Sequence, residues 1–166
     1  NVGKVRSQGI ETSATWLTPL AGLSLNLAGA YTRARTAADY DDGSGAVVPA
    51  GSEVPATPKV QAAGTAAYNT LFGPWVTGAA LTQTWTGPAY GNLRHEYEIF
   101  DYSLLNLNLT LCRPDWLGMP TLTLGVSNLT DERAVLNYTA PAATGVPSWS
   151  YSKPRTLSMT LSADFN

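Results

Sequence analysis

Apolar and polar side chains alternate without interruption at the end of the chain. One side carries Leu157, Met159, Leu161, Ala163 and Phe165, and the other carries Thr156, Ser158, Thr160, Ser162 and Asp164. A period of two residues indicates a β-strand whose two faces meet different environments. The run has about the length that a tilted strand needs to cross a bilayer. Phe165 ends the apolar side where a membrane interface favours an aromatic ring.

Runs with the same alternation predict six further strands. They cover residues 5–16, 23–31, 60–68, 75–85, 103–112 and 121–128. Leu105, Leu107, Leu109 and Leu111, for example, alternate with Asn106, Asn108 and Thr110. The sequence therefore predicts about seven strands and no helix.

The composition excludes several classes of protein. Charged residues make up 13% of the chain, which is about half the usual fraction in soluble domains. No charged residue lies between Val60 and Leu93, but glycine and proline interrupt this stretch, so it is not a membrane-spanning helix. The net charge of −2 argues against a nucleic-acid partner. The single cysteine, Cys112, excludes an internal disulfide and a cysteine-based metal site.

The connections between the predicted strands alternate in length. Three are short turns rich in glycine or proline, at residues 18–22, 72–74 and 114–120. Three are long loops, at residues 36–58, 87–101 and 131–153. In an antiparallel meander, all short turns fall at one end of the sheet and all long loops at the other. Outer-membrane barrels have this asymmetry, with short periplasmic turns and long external loops.

The aromatic residues are predicted to form two levels with an aliphatic band between them, as a bilayer requires. The level at the short turns contains Trp16, Tyr68, Phe72, Trp75, Trp116 and Phe165. The level at the long loops contains Tyr31, Trp85, Tyr90, Tyr97, Phe100, Tyr102, Tyr138, Trp149 and Tyr151. We therefore expect an all-β fold, an antiparallel up-and-down transmembrane β-barrel segment. Because bacterial barrels have an even number of at least eight strands, residues 1–166 are expected to be part of a larger barrel whose other strands precede Asn1.

Four motifs occur in order along the chain. They are Gly3-Lys4-Val5-Arg6-Ser7-Gln8-Gly9-Ile10-Glu11, Pro58-Lys59, Val126-Ser127-Asn128-Leu129-Thr130-Asp131-Glu132 and Pro154-Arg155-Thr156. Together they resemble motifs in the late barrel strands of TonB-dependent outer-membrane receptors.

This resemblance implies the C-terminal third of a 22-stranded barrel in the outer membrane of a Gram-negative cell. It also implies uptake of a scarce nutrient, most often a ferric siderophore, energised by the TonB complex through a plug domain. No cofactor is expected. Two alternatives stay open: another outer-membrane barrel, such as a porin or a structural barrel, and a soluble lipocalin-like binding module.

The second long loop contains the densest group of polar residues. Arg94, His95 and Tyr97 are candidate ligand contacts, since arginine suits anionic groups and aromatic rings suit planar ones. Tyr40 in the first long loop is a fourth candidate. The acidic run from Asp39 to Asp42 raises the question of calcium, but it lacks the spacing of the helical calcium loop and is typical of a solvated loop tip. A mobile, hydrated loop without ligand contact is the alternative for all four residues.

Other polar residues have structural interpretations. Asn128 and Asp131 are expected to shape the exit from a strand, because Asn and Asp bond readily to nearby backbone. Glu11 is expected to point into the barrel and contact the wall or the plug. No nucleophile-elbow motif, glycine-rich phosphate-binding loop or metal-ligand spacing is present, so an enzyme is not expected.

Overall fold

Seven long strands form one antiparallel sheet in the computed structural model, which describes residues 3–41, 47–139 and 146–165. The strands are β1 (Val5–Leu17), β2 (Leu23–Thr36), β5 (Val60–Phe72), β6 (Trp75–Thr86), β9 (Tyr102–Cys112), β10 (Thr121–Ser127) and β13 (Thr156–Ser162). Each pairs with the next long strand along the chain. The predicted all-β meander is therefore confirmed, with short turns at one end and long loops at the other. The described residues include no helix that is long and apolar enough to span a membrane.

Each long loop carries a small hairpin of its own. The hairpins pair β3 (Tyr40–Asp41) with β4 (Val47–Val48), β7 (Ala89–Tyr90) with β8 (Glu98–Ile99), and β11 (Val135–Thr139) with β12 (Ser148–Tyr151). The sequence did not predict these strands, because segments of two to five residues are too short to show a period.

The register places all the predicted apolar sides on one face, which we call the outer face. One row of directly paired residues crosses all seven strands on this face: Trp16, Leu25, Ala66, Leu81, Leu107, Val126 and Leu157. The neighbouring row on the opposite, inner face is polar: Thr15, Asn26, Thr65, Thr82 and Asn106. The outer face therefore suits an apolar environment, and the inner face suits water.

No second layer of the described chain covers the outer face. Leu27, Leu81 and Leu124 lie on strands with a neighbour on each side, yet they are 63%, 42% and 41% exposed. The buried hydrophobic residues are Val48, Ile99, Ala134 and Tyr138, and all of them lie in the long loops. A soluble sandwich would bury its leucines between two sheets, so this arrangement contradicts a soluble core.

The outer face has the height of a bilayer. Trp75 and Trp85 lie at opposite ends of β6 and both face outward. Their separation of ten positions corresponds to about 33 Å along the strand, or about 25 Å along the membrane normal at a tilt of about 40°, which matches the apolar band of outer-membrane barrels. Tyr102 departs from the predicted aromatic level, because its pairing with Thr86 places it on the inner face.

Polar side chains on the outer face bond to the protein itself. Gln83 Nε2 donates to Ser103 Oγ at 2.8 Å, and Thr77 Oγ1 donates to the carbonyl of Thr70 at 3.0 Å. Trp85 Nε1 donates to Asp101 Oδ2 at 3.1 Å. Internal partners remove the free-energy cost that an unpaired polar group would have in hydrocarbon.

Candidate functional site in the long loops

The three long loops contact one another above the sheet. Ala56 N in the first loop donates to Tyr90 O in the second at 2.8 Å, and His95 Nε2 lies 3.4 Å from Glu53 O. Tyr97 in the second loop stacks on Tyr138 in the third, with ring centroids 4.1 Å apart. The loops thus form one connected layer at this end of the barrel segment.

An aromatic cluster joins the second and third loops. Trp149 lies 4.7 Å from Tyr138 and 6.1 Å from Tyr97 between ring centroids. Gly91 leaves room for this contact, because a Cβ atom there would lie 2.8 Å from Cβ of Tyr138. Burial, together with the neighbouring Tyr97 and Glu96, raises the pKa of Tyr138 to about 12. The cluster is a hydrophobic contact that holds the second and third loops together.

We predict that Tyr138→Phe leaves the stability of the complete protein unchanged or raises it slightly. Tyr138 is 4% exposed, and its buried hydroxyl lies close to Tyr97 but makes no hydrogen bond of standard geometry with a described residue. Removing an unsatisfied buried hydroxyl removes a desolvation penalty while the ring contacts remain. Denaturant unfolding in detergent micelles measures the change. Tyr138→Ala is the matched comparison and should be clearly destabilising, whereas a clear loss in Tyr138→Phe would show that the hydroxyl has a partner.

Glu53 connects the first loop to β2 and to Lys59, the residue that precedes β5. Its Oε1 lies 2.5 Å from Lys59 Nζ and 3.8 Å from an Nη atom of Arg35. The hydrogen bond from Lys59, with the charges of Lys59, Arg35 and His95, holds the pKa of Glu53 below its ordinary value, against the opposing effect of burial. The contribution of this carboxylate to stability is therefore present above its unfolded pKa and is lost as the pH falls through its folded pKa.

The structure brings together three of the four candidate ligand residues. Arg94 and His95 lie exposed in the second loop, where the His95 ring stacks on Tyr90 at 3.8 Å. Tyr97 is half-buried in the aromatic cluster. Tyr40 is half-buried in the hairpin of the first loop, where it pairs with Val48.

The acidic run of the first loop is only partly described. Asp39 Oδ1 accepts a hydrogen bond from Ala50 N at 2.8 Å. Asp42 and Gly43 lie outside the described residues. The expectation of a solvated loop tip without calcium therefore stays a prediction. Within the described ranges, no group of three or more His, Cys, Asp or Glu side chains is placed to hold a metal ion.

Asn128 and Asp131 have the structural role that the sequence predicted. Asn128 is 4% exposed, and its side chain bonds to the backbone of Glu132 and Lys153. Asp131 Oδ1 accepts a hydrogen bond from Arg155 N at 2.8 Å. Both side chains therefore form hydrogen bonds that close the base of the third loop.

Glu11 lies on the inner face, as its alternation predicted, and is paired with Ala30. It borders a hollow of about 580 Å³. The other inner-face side chains of this hollow are small or polar: Ser13, Ala28, Ala30, Gln61, Ala63, Thr84 and Thr86. A contact between Glu11 and a plug domain stays a prediction.

Comparison with known proteins identifies the family. The family model described as TonB dependent receptor-like, beta-barrel matches residues 1–129, which include β1 to β10. The chain belongs to the TonB-dependent receptor-like β-barrel family. This membership decides against the porin and lipocalin-like alternatives. No curated protein sequence matches the chain.

Solved structures show the same fold for this TonB-dependent receptor segment. The ferric yersiniabactin uptake receptor FyuA from Yersinia pestis matches 100% of the chain with 24% of its own length, at a TM-score of 0.76 and 19% identity. BauA, the ferric preacinetobactin receptor from Acinetobacter baumannii, matches 98% of the chain with 22% of its length, at 0.76 and 21% identity. The segment spans about a quarter of these receptors, and at such identities the likeness shows the fold alone.

Tyr138 and Trp149 were not among the candidates that sequence reasoning selected in this receptor segment. The third long loop is as rich in aromatic residues as the second, since it contains Tyr138, Trp149 and Tyr151. This density was visible in the sequence, but the contact of the third loop with Tyr97 was not.

Proposed function

We propose that residues 1–166 form the C-terminal part of the barrel of an outer-membrane receptor. The complete receptor takes up a scarce nutrient, a ferric siderophore, with energy passed from the TonB complex through a plug domain outside this chain. Its other partner is the lipid bilayer that surrounds the outer face. No chemical step is assigned to the segment.

The observation that carries the proposal is that the family model matches a chain whose sheet has one continuous, apolar and uncovered face. The row from Trp16 to Leu157 is apolar throughout, and no described residue covers it. The two solved structures that share the fold are, by their descriptions, receptors for ferric yersiniabactin and ferric preacinetobactin. A ferric siderophore is therefore the first ligand class to test.

Within the segment, we propose that the connected layer of long loops contributes to capture of the ligand. Arg94 is exposed in the second loop and offers a planar guanidinium group to an anionic chelate. His95, Tyr97 and Tyr40 are proposed as further contacts, although His95 and Tyr97 also pack within the layer. An exposed arginine and aromatic rings in the same loop suit a planar, anionic ligand.

The complete receptor should bind a ferric siderophore, and Arg94→Gln should weaken that binding by about 10- to 100-fold. This range is the fold-change expected from loss of one hydrogen bond to a charged group. Titration of the purified receptor with a panel of ferric siderophores, followed by the quenching of tryptophan fluorescence, measures the affinity. Lys153→Gln removes an equal charge from the third loop and should change the affinity by less than about twofold.

Two results would contradict this proposal separately. Failure of every ferric siderophore to bind would refute the ligand class. Binding that is equal in the original receptor and in Arg94→Gln would refute the role of Arg94 while leaving the ligand class intact.

A further inference from the structure

Four cations stand next to one another on the outer face, just beyond the aromatic level at the long loops. They are Lys4, Arg6, Arg33 and Arg35, and we call them the basic patch. Arg6 is the direct partner of Arg35, and Arg33 is paired with Gln8. The next row toward the membrane consists of Ile10, Tyr31 and Val60, which are 74%, 49% and 42% exposed.

The patch lies at the level of lipid head groups. Arg33 follows Tyr31 by two positions on β2, so its backbone lies about 5 Å farther along the membrane normal at a strand tilt of about 40°. Aromatic rings such as Tyr31 mark the boundary between hydrocarbon and head groups. Long arginine and lysine side chains at this level place their charges among the head groups.

The charges of the patch are largely unbalanced within the described chain. Like charges directly opposite in neighbouring strands are destabilising, yet Arg6 faces Arg35. Glu53, the carboxylate that pairs with Arg35, is closer to Lys59 than to Arg35, at 2.5 Å against 3.8 Å. Lys4, Arg6 and Arg33 are exposed and make no ion pair with a described residue.

Arg35 is also left with an unused hydrogen-bond donor. Its Nε is buried without a partner, while 39% of its side chain stays exposed. Neutral head groups would leave this concentration of positive charge uncompensated, whereas phosphate groups would supply both charge and acceptors.

From this arrangement we infer that the basic patch binds the phosphate groups of a phosphorylated lipid in the surrounding leaflet, whose acyl chains lie against Ile10, Tyr31 and Val60. The inference rests on the membrane placement under the proposed function, but not on the siderophore. The occupant is a membrane lipid rather than a soluble anion, because the patch adjoins the exposed apolar rows of the outer face.

The complete receptor, purified in a neutral detergent, should bind bisphosphorylated lipid A more tightly than the same lipid without its phosphates. The double variant Arg6→Gln and Arg33→Gln leaves the Arg35–Glu53 pair intact and should weaken binding of the phosphorylated lipid by about 30-fold. Binding of the dephosphorylated lipid should not change. Native mass spectrometry across a lipid titration measures both affinities.

The matched control removes two cations from the third loop, at the same end of the molecule. Arg133→Gln with Lys153→Gln should change lipid binding by less than about threefold, because neither residue lies in the patch. Equal losses in the two double variants would overturn the inference, since net charge alone would then explain them. An affinity in the patch variant within threefold of the original receptor would also overturn it.

Two measurements on the unmodified receptor do not depend on how a variant folds. Equal binding of phosphorylated and dephosphorylated lipid would overturn the inference. Full displacement of the lipid by millimolar inorganic phosphate would also overturn it, because the ligand would then be a soluble anion. A receptor that binds the phosphorylated lipid but no ferric siderophore would support the patch and refute only the proposed ligand class.

Discussion

Leu107→Arg should lower the free energy of unfolding of the complete receptor by about 2–4 kcal/mol, the cost of a cationic side chain at the middle of the lipid face of a barrel. Leu107 is paired with Leu81 and Val126 in the middle of the apolar row that crosses the sheet. Since the outer face has no cover from the described chain, an arginine there must extend through hydrocarbon to reach water. Few other single substitutions in this sheet should have so large an effect.

The neighbouring substitution Asn108→Arg is the matched control. Asn108 follows Leu107 on β9 and is exposed on the inner face. On a watery face the same charge should change stability by no more than about 0.5 kcal/mol. Denaturant unfolding of both variants in phospholipid vesicles measures the difference. Equal losses, or a greater loss in Asn108→Arg, would mean that the assignment of the two faces is wrong.

The faces of the sheet could be predicted from the sequence because each strand repeats the same two-residue pattern. Leu122, Leu124 and Val126 on β10 alternate with polar or small residues, so a shift of one residue would bring polar groups into hydrocarbon. The pattern thus specifies strand, face and register together. The face that each residue takes can be read from its own strand alone.

The ends of the strands could not be predicted as well, because the pattern stops before the strand does. The predicted limit of β2 was Tyr31, but the strand continues to Thr36 through Arg33 and Arg35. The predicted limit of β5 was Tyr68, but the strand continues to Phe72, although Leu71 lies on the inner face. Backbone pairing extends β2 beyond the aromatic level at the long loops, and it carries β5 to the aromatic level at the short turns, where Phe72 pairs with Trp75.

Structural reasons can now be given for parts of the motifs that carried the family resemblance. Gly9 is required because a Cβ atom there would clash with the carbonyl oxygen of Tyr31. Arg155 donates its backbone N–H to Asp131 and an Nη group to the carbonyl of Leu129 at 3.4 Å. These motifs hold the barrel wall together and do not by themselves specify a ligand.

The candidate site was predicted only in part, because contacts between loops have no periodic pattern. Tyr97 and Tyr138 belong to different loops, and only folding brings their rings to within 4.1 Å. The sequence could indicate that the second loop is polar and aromatic. It could not indicate that the third loop would fill the space beside Gly91.

The base of the third loop depends on the single side chain of Asn128. Its Oδ1 accepts from Glu132 N at 2.9 Å, and its Nδ2 donates to the carbonyls of Glu132 and Lys153 at 2.9 and 2.8 Å. These bonds join the beginning of the loop to its end. The residue also has a φ of 52°, a left-handed conformation that asparagine tolerates better than alanine does.

Asn128→Ala should therefore destabilise the complete receptor by about 3–4 kcal/mol. Three buried hydrogen bonds contribute about 1 kcal/mol each, and the left-handed backbone costs alanine about 1 kcal/mol more. Asn128→Gly loses the same bonds without that strain, so it should recover about 1 kcal/mol relative to alanine. Denaturant unfolding in vesicles measures the totals, and amide exchange should accelerate most at Glu132, whose N–H loses its acceptor.

The control for Asn128 is Asn108→Ala, which removes an exposed asparagine from the adjacent strand and should cost less than about 0.5 kcal/mol. The alanine and glycine variants separate two contributions that a single substitution would combine. Equal stabilities of the two would show that the left-handed backbone carries no penalty here. A loss of stability in Asn128→Ala no larger than that in Asn108→Ala would show that contacts other than these three hydrogen bonds hold the loop. The aromatic cluster would then be the main contact that holds the third loop in place.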